Sequence, residues 1–253
     1  MKVSVVTIVY NDVANIERTL QSVISQTYCD IEYIVVDGAS TDGTSEIIGR
    51  YLSNLNKYIC EKDTGIYNAM NKGLQVASGD YVIFMNSGDR FSSNSVVSQI
   101  CAMVGERRPA MIYGHYHECV GDNIISTRSC RKPSKIWYGP VASHQSTLYN
   151  IDFIRHNSIS YDENYRIAAD YKFSLQTLML SGGDAIQVDV CVSDFDTSGA
   201  SNTNMDLGLN EANRARREIL GWSPLQCGAM KYLLLSARYA KKYVRPLYNM
   251  LRR

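Results

Sequence analysis

No run of this 253-residue chain is apolar over the roughly 18 to 20 residues that a bilayer-spanning helix needs. Met1 is followed at once by a strand-like run over residues 2–9, which lacks the long apolar core and small-residue cleavage site of a signal peptide. Both absences predict a protein made and kept in the cytoplasm. The seven cysteines are odd in number, scattered, and never spaced as Cys-x-x-Cys, which argues for reduced thiols against a disulfide framework or a zinc knuckle. Two common nucleotide signatures are missing as well. The loop after the first strand-like run, residues 10–15, has no glycine, and no G-x-x-x-x-G-K-S/T occurs anywhere, which disfavours a dinucleotide oxidoreductase and a P-loop enzyme. Internal repeats and low-complexity segments are absent too.

What is present is an ordinary globular composition, 45% hydrophobic and 20% charged, with apolar material for one sizeable core or two small ones. The net charge of +1 conceals an asymmetry: residues 226–253 hold seven Lys or Arg and no acidic residue, which leaves about −6 for the remainder. The two ends therefore face different partners.

Over the first ninety residues, strand-like and helix-like segments alternate in the rhythm of an α/β protein with a mostly parallel sheet. The β-branched run at 3–9 predicts a central strand covered on both faces. A helix around 16–24, a strand at 31–36 ending at Asp37-Gly38, a helix over 44–52, a strand at 57–61, a helix over 66–76 and a strand at 81–85 follow. Polar loops end four strands, and ligands of open α/β sheets sit at such carboxyl ends. From about residue 110 the segments shorten: strands are expected near 111–114, 124–126 and 146–149, a helix over 170–181, a strand over 184–192 and a movable small-residue loop over 196–202.

Four blocks stand in order: TIVYN (7–11), VVDGASTDGT (35–44), DTGIYNAMNKG (63–73) and ASGDYVIFMNSGD (77–89). In this order and spacing they closely resemble the nucleotide-sugar half of the family 2 glycosyltransferases, and the third and fourth look like the branch of bacterial polysaccharide transferases similar to the colanic acid enzymes. The resemblance is strong over 2–90 and weak over 140–201. It implies a Rossmann-like GT-A domain over 1–205, with the nucleotide-sugar half at 1–90 and an acceptor half at 110–205; it hardly reaches the tail, whose composition predicts a helical basic extension over 206–253 that is membrane-proximal or partner-binding.

The resemblance implies a nucleotide-diphospho-sugar donor, a UDP-sugar favoured, held by Thr7, Val9, Tyr10, Asn11, Asp37, Asp63, Lys72, Asn86 and Ser87. A carboxylate at a strand end, such as Asp37, can accept hydrogen bonds from a base or ribose; it can also simply turn the chain. Lys72 suits a diphosphate or a solvated surface equally. Asp89 takes the family position that binds Mg²⁺ or Mn²⁺, with Asn86 and Gly88 standing where carboxylates often occur, so the donor phosphates would complete the shell. His144, in a His-Gln pair, is a further candidate for the metal, the phosphates or the acceptor, or a satisfied structural histidine. His115 and His117 read as structural. Asp170 matches the position of the general base that takes the acceptor proton, which implies inversion at the anomeric carbon; the alternative is a helix cap.

Basic and apolar residues mix in the tail, from Tyr232 through Arg238, Lys241, Lys242 and Arg245 to Arg253, and such a segment can lie on an anionic membrane surface. It can also pack on the domain or bind a partner; nucleic acid finds no other basic patch. The expected activity is an inverting sugar transfer to a saccharide, lipid-linked by analogy, in bacterial surface-polysaccharide assembly. A non-catalytic nucleotide-sugar scaffold and a nucleotidyltransferase are the rivals.

Overall fold

The structure, a computed structural model, describes residues 1–197 and 204–243, the side chains of Arg238 and residues 240–243 excepted. In chain order its elements are β1 (Val3–Val9), α1 (Ile16–Ile24), β2 (Ile31–Asp37), α2 (Thr44–Gly49), β3 (Lys57–Cys60), α3 (Ile66–Val76), β4 (Tyr81–Phe84), β5 (Arg90–Phe91), α4 (Val96–Val104), β6 (Met111–Val120), β7 (Asn123–Arg128), β8 (Thr147–Asn150), α5 (Ile151–His156), α6 (Ala169–Leu180), β9 (Ala185–Asp196), α7 (Met205–Leu220) and α8 (Pro224–Tyr243). Of the expected movable loop, residues from 198 to 202 lie outside the described residues, as do Arg245, Leu247, Leu251, Arg252 and Arg253 of the tail.

One mixed sheet runs β3-β2-β1-β4-β8-β6-β9-β5, with β7 paired to β6. Its first four strands are parallel. Beyond β4 the sheet turns mixed: β8 is antiparallel to both β4 and β6, and β9 is parallel to β6. All seven positions of β1 are buried, as the β-branched run requires. Because side chains alternate across a strand, Val3, Val5 and Val9 join one core with α1 and α4, while Val6 and Ile8 join a second with α3 and α6. A single sheet thus separates two apolar layers, and each fully buried aliphatic side chain contributes roughly 1.5–3 kcal/mol.

Close packing sets where the site loops fall. A β-carbon at Gly73 would sit inside the Val6 side chain, so only glycine lets α3 lie this close over β1. That fixes the β3–α3 loop over the strand ends.

The segment from Met205 to Leu220 is bound onto residues 137 and 166–168 of the second half of the chain. Glu211, Ala215 and Arg216 of α7 are buried, and the Arg216 Nε donates to the Trp137 carbonyl at 2.7 Å. α8 packs through Cys227 and Met230 and exposes Leu225, Tyr232, Leu233 and Tyr239. Among the described residues no helix is long and apolar enough to cross a membrane. All seven cysteines are free.

Candidate active site

Strand order 3-2-1-4 reverses between β1 and β4, and loops leaving adjacent strand ends in opposite directions open a crevice there. A cavity of about 580 Å³ fills it. Its walls come from Asp12 and Asn15 after β1, Asn86 to Asp89 after β4, Ser143 to Gln145 before β8, Asp170 at the start of α6 and Asp196 at the end of β9. Asn86, Ser87, Asp89, His144 and Asp170, far apart in sequence, are brought together here.

Asp89 is buried, and both carboxylate oxygens are engaged: one accepts from Gln145 Nε2 at 2.7 Å, the other from the Asp196 backbone N–H at 2.9 Å. Burial, with the negative charge of Asp196 adding to it, pushes its pKa up to about 7. Arg18 of α1 reaches across, donating to the Gly88 carbonyl at 2.7 Å and standing 3.5 Å from an Asp196 oxygen. Ser87 Oγ donates to Asp12 at 2.6 Å, and Asn86 Oδ1 is buried without a hydrogen-bond partner.

These residues fit a divalent ion only in part. Among the described residues no cluster of three or more His, Cys, Asp or Glu could hold a metal. Asp89 and Asp196 nevertheless lie side by side on the wall, with the charge of the first penalised by burial and by the second, and a bound cation relieves both penalties. The set suits an ion whose remaining ligands come from phosphate oxygens.

His144 sits in an aromatic cage, its ring 5.2 Å from Phe84 and 5.6 Å from Tyr161. Its Nε2 pairs with the Tyr161 hydroxyl at 2.9 Å, while Nδ1 is buried without a partner. Burial drives its pKa down to about 3, so the imidazole is neutral and able to present Nδ1 to the cavity as donor or ligand.

Asp170 does not cap α6. The cap is Ala168, which has no side-chain bond, and Asp170 lies in the first turn with one oxygen accepting the Tyr171 N–H at 2.7 Å. Burial pushes its pKa up to about 6, close to what a general base at neutral pH needs. The preceding backbone is fixed from α7: Glu211 accepts the N–H groups of Arg166 and Ile167 at 2.8 Å and of Ala168 at 2.9 Å.

Other expected donor residues stand away from this cavity. Thr7 is buried in the core, its hydroxyl 3.0 Å from that of Tyr33. Asp37 is fully buried and its carboxylate is taken up by the loop that follows, accepting from Ser40 N at 2.9 Å, Ser40 Oγ at 2.6 Å and Ser45 Oγ at 2.5 Å. Those bonds hold its pKa below the usual range despite burial. Lys72 is turned onto the β3–α3 loop, where it pairs with Glu61 at 2.9 Å and the Lys62 carbonyl at 2.9 Å. Val9 is buried, and its carbonyl accepts from Gly38. Tyr10, which is exposed, and the half-buried Asp63 close on Gly38, where a β-carbon would lie 2.5 Å from Asp63 Oδ2 and 3.2 Å from the Tyr10 ring, while Asn11 Oδ1 accepts from Thr41 N at 2.8 Å. Asn11 and Ala39 on this rim adopt left-handed backbone, at φ 50° and 63°.

Four residues of the site carried no role in the sequence reading. Gln145 had a signal, since it completes the His-Gln pair. Asp12 and Asp196 open loops whose partners only the fold reveals. Glu211 acts on a segment far away in sequence, and no local pattern marks it. His115 and His117 take structural bonds, to Asp189 and Thr127 respectively.

A Rossmann-like sheet with a carboxylate-lined crevice at its switch point, continued by a mixed half that brings Asp170 to the same crevice, is the architecture of a GT-A glycosyltransferase. The model of "Glycosyl transferase family 2" matches residues 4–163, and the chain belongs to that family. The transferase reading of the four blocks therefore stands over the two rivals. An uncharacterized glycosyltransferase of Mycobacterium tuberculosis is 32% identical over 208 residues, 79% of this chain and 77% of the relative. The Escherichia coli UDP-Glc:alpha-D-GlcNAc-diphosphoundecaprenol beta-1,3-glucosyltransferase WfaP is 30% identical over 145 residues, 56% of each chain. The fold is shared with Staphylococcus aureus TarS in complex with UDP, at TM-score 0.66 and 21% identity over 87% of this chain and 71% of that one. It is shared equally with the mannosyltransferase PcManGT of Pyrobaculum calidifontis in complex with GDP-Man and Mn²⁺, at TM-score 0.65 and 17% identity over 96% and 81%.

Proposed function

We propose that this enzyme is an inverting transferase moving a sugar from a nucleoside-diphosphate donor, a UDP-sugar by preference, to a hydroxyl of a lipid-linked saccharide in bacterial surface-polysaccharide assembly. The observation that carries the reading is the pairing, in one cavity, of a base-like carboxylate at Asp170 with the Asp89–Asp196 carboxylates on the opposite elements. The base and ribose lie in the Tyr10–Gly38–Asp63 cluster, whose exposed aromatic ring and carboxylate suit stacking and hydrogen bonding. Asn86 Oδ1 and His144 Nδ1, both buried and unpartnered, face donor or acceptor hydroxyls and phosphate oxygens.

Asp170 accepts the acceptor proton as the acceptor oxygen bonds to the anomeric carbon, and the bond from that carbon to the diphosphate breaks on the other face, its electron pair leaving with the nucleoside diphosphate. Asp89 and Asp196, with His144 as the further candidate, would hold Mg²⁺ or Mn²⁺, which would supply Lewis-acid stabilisation of that leaving charge. The E. coli relative's named substrates and the basic, apolar-exposing α8 support a lipid-linked acceptor met at the inner face of the membrane. The test is the anomeric configuration of product formed from an α-linked UDP-sugar and a GlcNAc-diphosphoryl lipid, read by NMR. A β-linked product is expected; an α-linked product overturns the single-displacement mechanism and the role of Asp170.

A further inference from the structure

A second concavity, of about 970 Å³, lies at the far end of α6 from Asp170. Ile136, Trp137, Leu178, Met179, Leu220 and Trp222 form its apolar walls. It contains the only two tryptophans of the chain, with rings 6.2 Å apart and tilted by 41°. Met179 is 49% exposed at its edge, an apolar surface left open to water. The walls are held from behind by the buried Arg216, whose guanidinium bonds the Trp137 and Tyr138 carbonyls and lies 5.9 Å over the Trp222 ring. The groove is thus braced before anything enters.

One rim of the groove is cationic. Arg131, Lys132 and Lys135 are exposed, the segment 129–145 that carries them has no acidic residue, and none of the three pairs with a carboxylate among the described residues. Lys135 Nζ stands 5.8 Å over the Trp137 ring, marking the line where apolar wall meets charged edge. The same segment continues through Pro140 and Ala142 into the wall of the main cavity. From Asp170 to Met179 along α6 the distance is about 13 Å at 1.5 Å per residue, a span that a sugar and a diphosphate bridge.

Resting on the lipid-linked acceptor reading above, we propose that this groove binds the polyisoprenyl chain of the acceptor, with Arg131, Lys132 and Lys135 meeting its diphosphate while its sugar reaches Asp170. A hydrocarbon chain needs no hydrogen-bond partner in such a groove, and the diphosphate matches the sign of the neighbouring cations, of which Arg131 already donates to the Pro140 carbonyl at 2.9 Å and keeps further N–H groups for a phosphate.

The two tryptophans are a built-in reporter, and the full chain is titrated with farnesyl diphosphate below its micelle concentration, with farnesol, and with inorganic diphosphate. Farnesyl diphosphate is expected to change the emission saturably and to bind at least tenfold tighter than farnesol, and inorganic diphosphate to leave the emission unchanged. Met179→Asp, at an exposed edge, should abolish the response, and Arg131→Ala with Lys135→Ala should weaken it about tenfold, both with UDP-sugar binding retained in calorimetry. No response to farnesyl diphosphate while a UDP-sugar still binds overturns the groove and leaves the transferase reading standing. A response to farnesyl diphosphate without binding of any nucleotide-sugar supports the groove and contradicts the donor assignment. Emission that depends on protein concentration, or on removal of residues 244–253, but not on the probe, assigns the groove to a second copy or to the chain itself and overturns the proposal.

Discussion

Glu211 of α7 accepts three consecutive backbone N–H groups, from Arg166, Ile167 and Ala168, immediately before the helix that carries Asp170, the proposed base. Its charge also adds to the rise in the Asp170 pKa, after burial.

Activity should therefore respond to pH through Asp170 and be tuned by Glu211. A base with a native pKa of about 6 is ionised above it, so kcat/KM should fall roughly tenfold per pH unit below about 6. Asp170→Asn should lower kcat by about 10²- to 10⁴-fold with donor binding retained. Glu211→Gln should move the acid limb to lower pH, because a negative charge that disfavours ionisation is gone, and should cost about 1–3 kcal/mol of stability through lost acceptor capacity. Pre-steady-state rates across pH separate this from a merely structural role, which lowers kcat at every pH and leaves the limb in place.

Asp89 makes the opposite demand on stability. Its native pKa, about 7, lies above its unfolded value near 3.8, so its contribution to stability is full below 3.8 and lost as pH rises through 7. The difference corresponds to roughly 4 kcal/mol. Asp89→Asn should raise the Tm of the metal-free protein at pH 8 and have little effect at pH 4. Mn²⁺ with UDP should narrow the gap at pH 8 by stabilising only the wild type. Thermal scans at the two pH values check it, and an Asn variant less stable at pH 8 than at pH 4 relative to wild type contradicts it.

Gly38 leaves room for Asp63 and Tyr10 to close on the strand end. A β-carbon there meets Asp63 Oδ2 at 2.5 Å and must displace it. Gly38→Ala should raise the donor KM about tenfold with kcat little changed if, as proposed, the displaced groups bind the nucleoside and not the reacting centre. Steady-state kinetics with donor varied decide it; an unchanged KM removes this cluster from the donor site.

The parallel half was legible because β1 and β2 are buried on both faces and α1 is strongly amphipathic, so periodicity and turn residues agree. α4 escaped notice: Val96, Val97, Ile100 and Val104 are all buried on a helix apolar nearly all round, where periodicity carries little signal. The two-residue β5 is defined by β9, not by its own sequence. At the site, motif positions placed Asp89, Asn86, Ser87 and Asp170 on one cavity. Side-chain direction was not legible. Asp37 and Lys72 look alike as ligands or as loop ties until Ser40, Ser45 and Glu61 are seen to take them up. Glu211 and Asp196 act across the fold, which no local pattern records.

Asp89 is proposed to hold a metal that ties a nucleotide-sugar to this cavity. Isothermal calorimetry of UDP-, GDP-, CMP- and dTDP-sugars, with and without Mn²⁺, on the wild type and on Asp89→Ala, tests it most directly. Binding of one donor that strengthens at least tenfold with Mn²⁺ in the wild type, and gains nothing from Mn²⁺ in Asp89→Ala, is the expected result. Binding that is indifferent to both the metal and Asp89, or no binding of any donor, contradicts it.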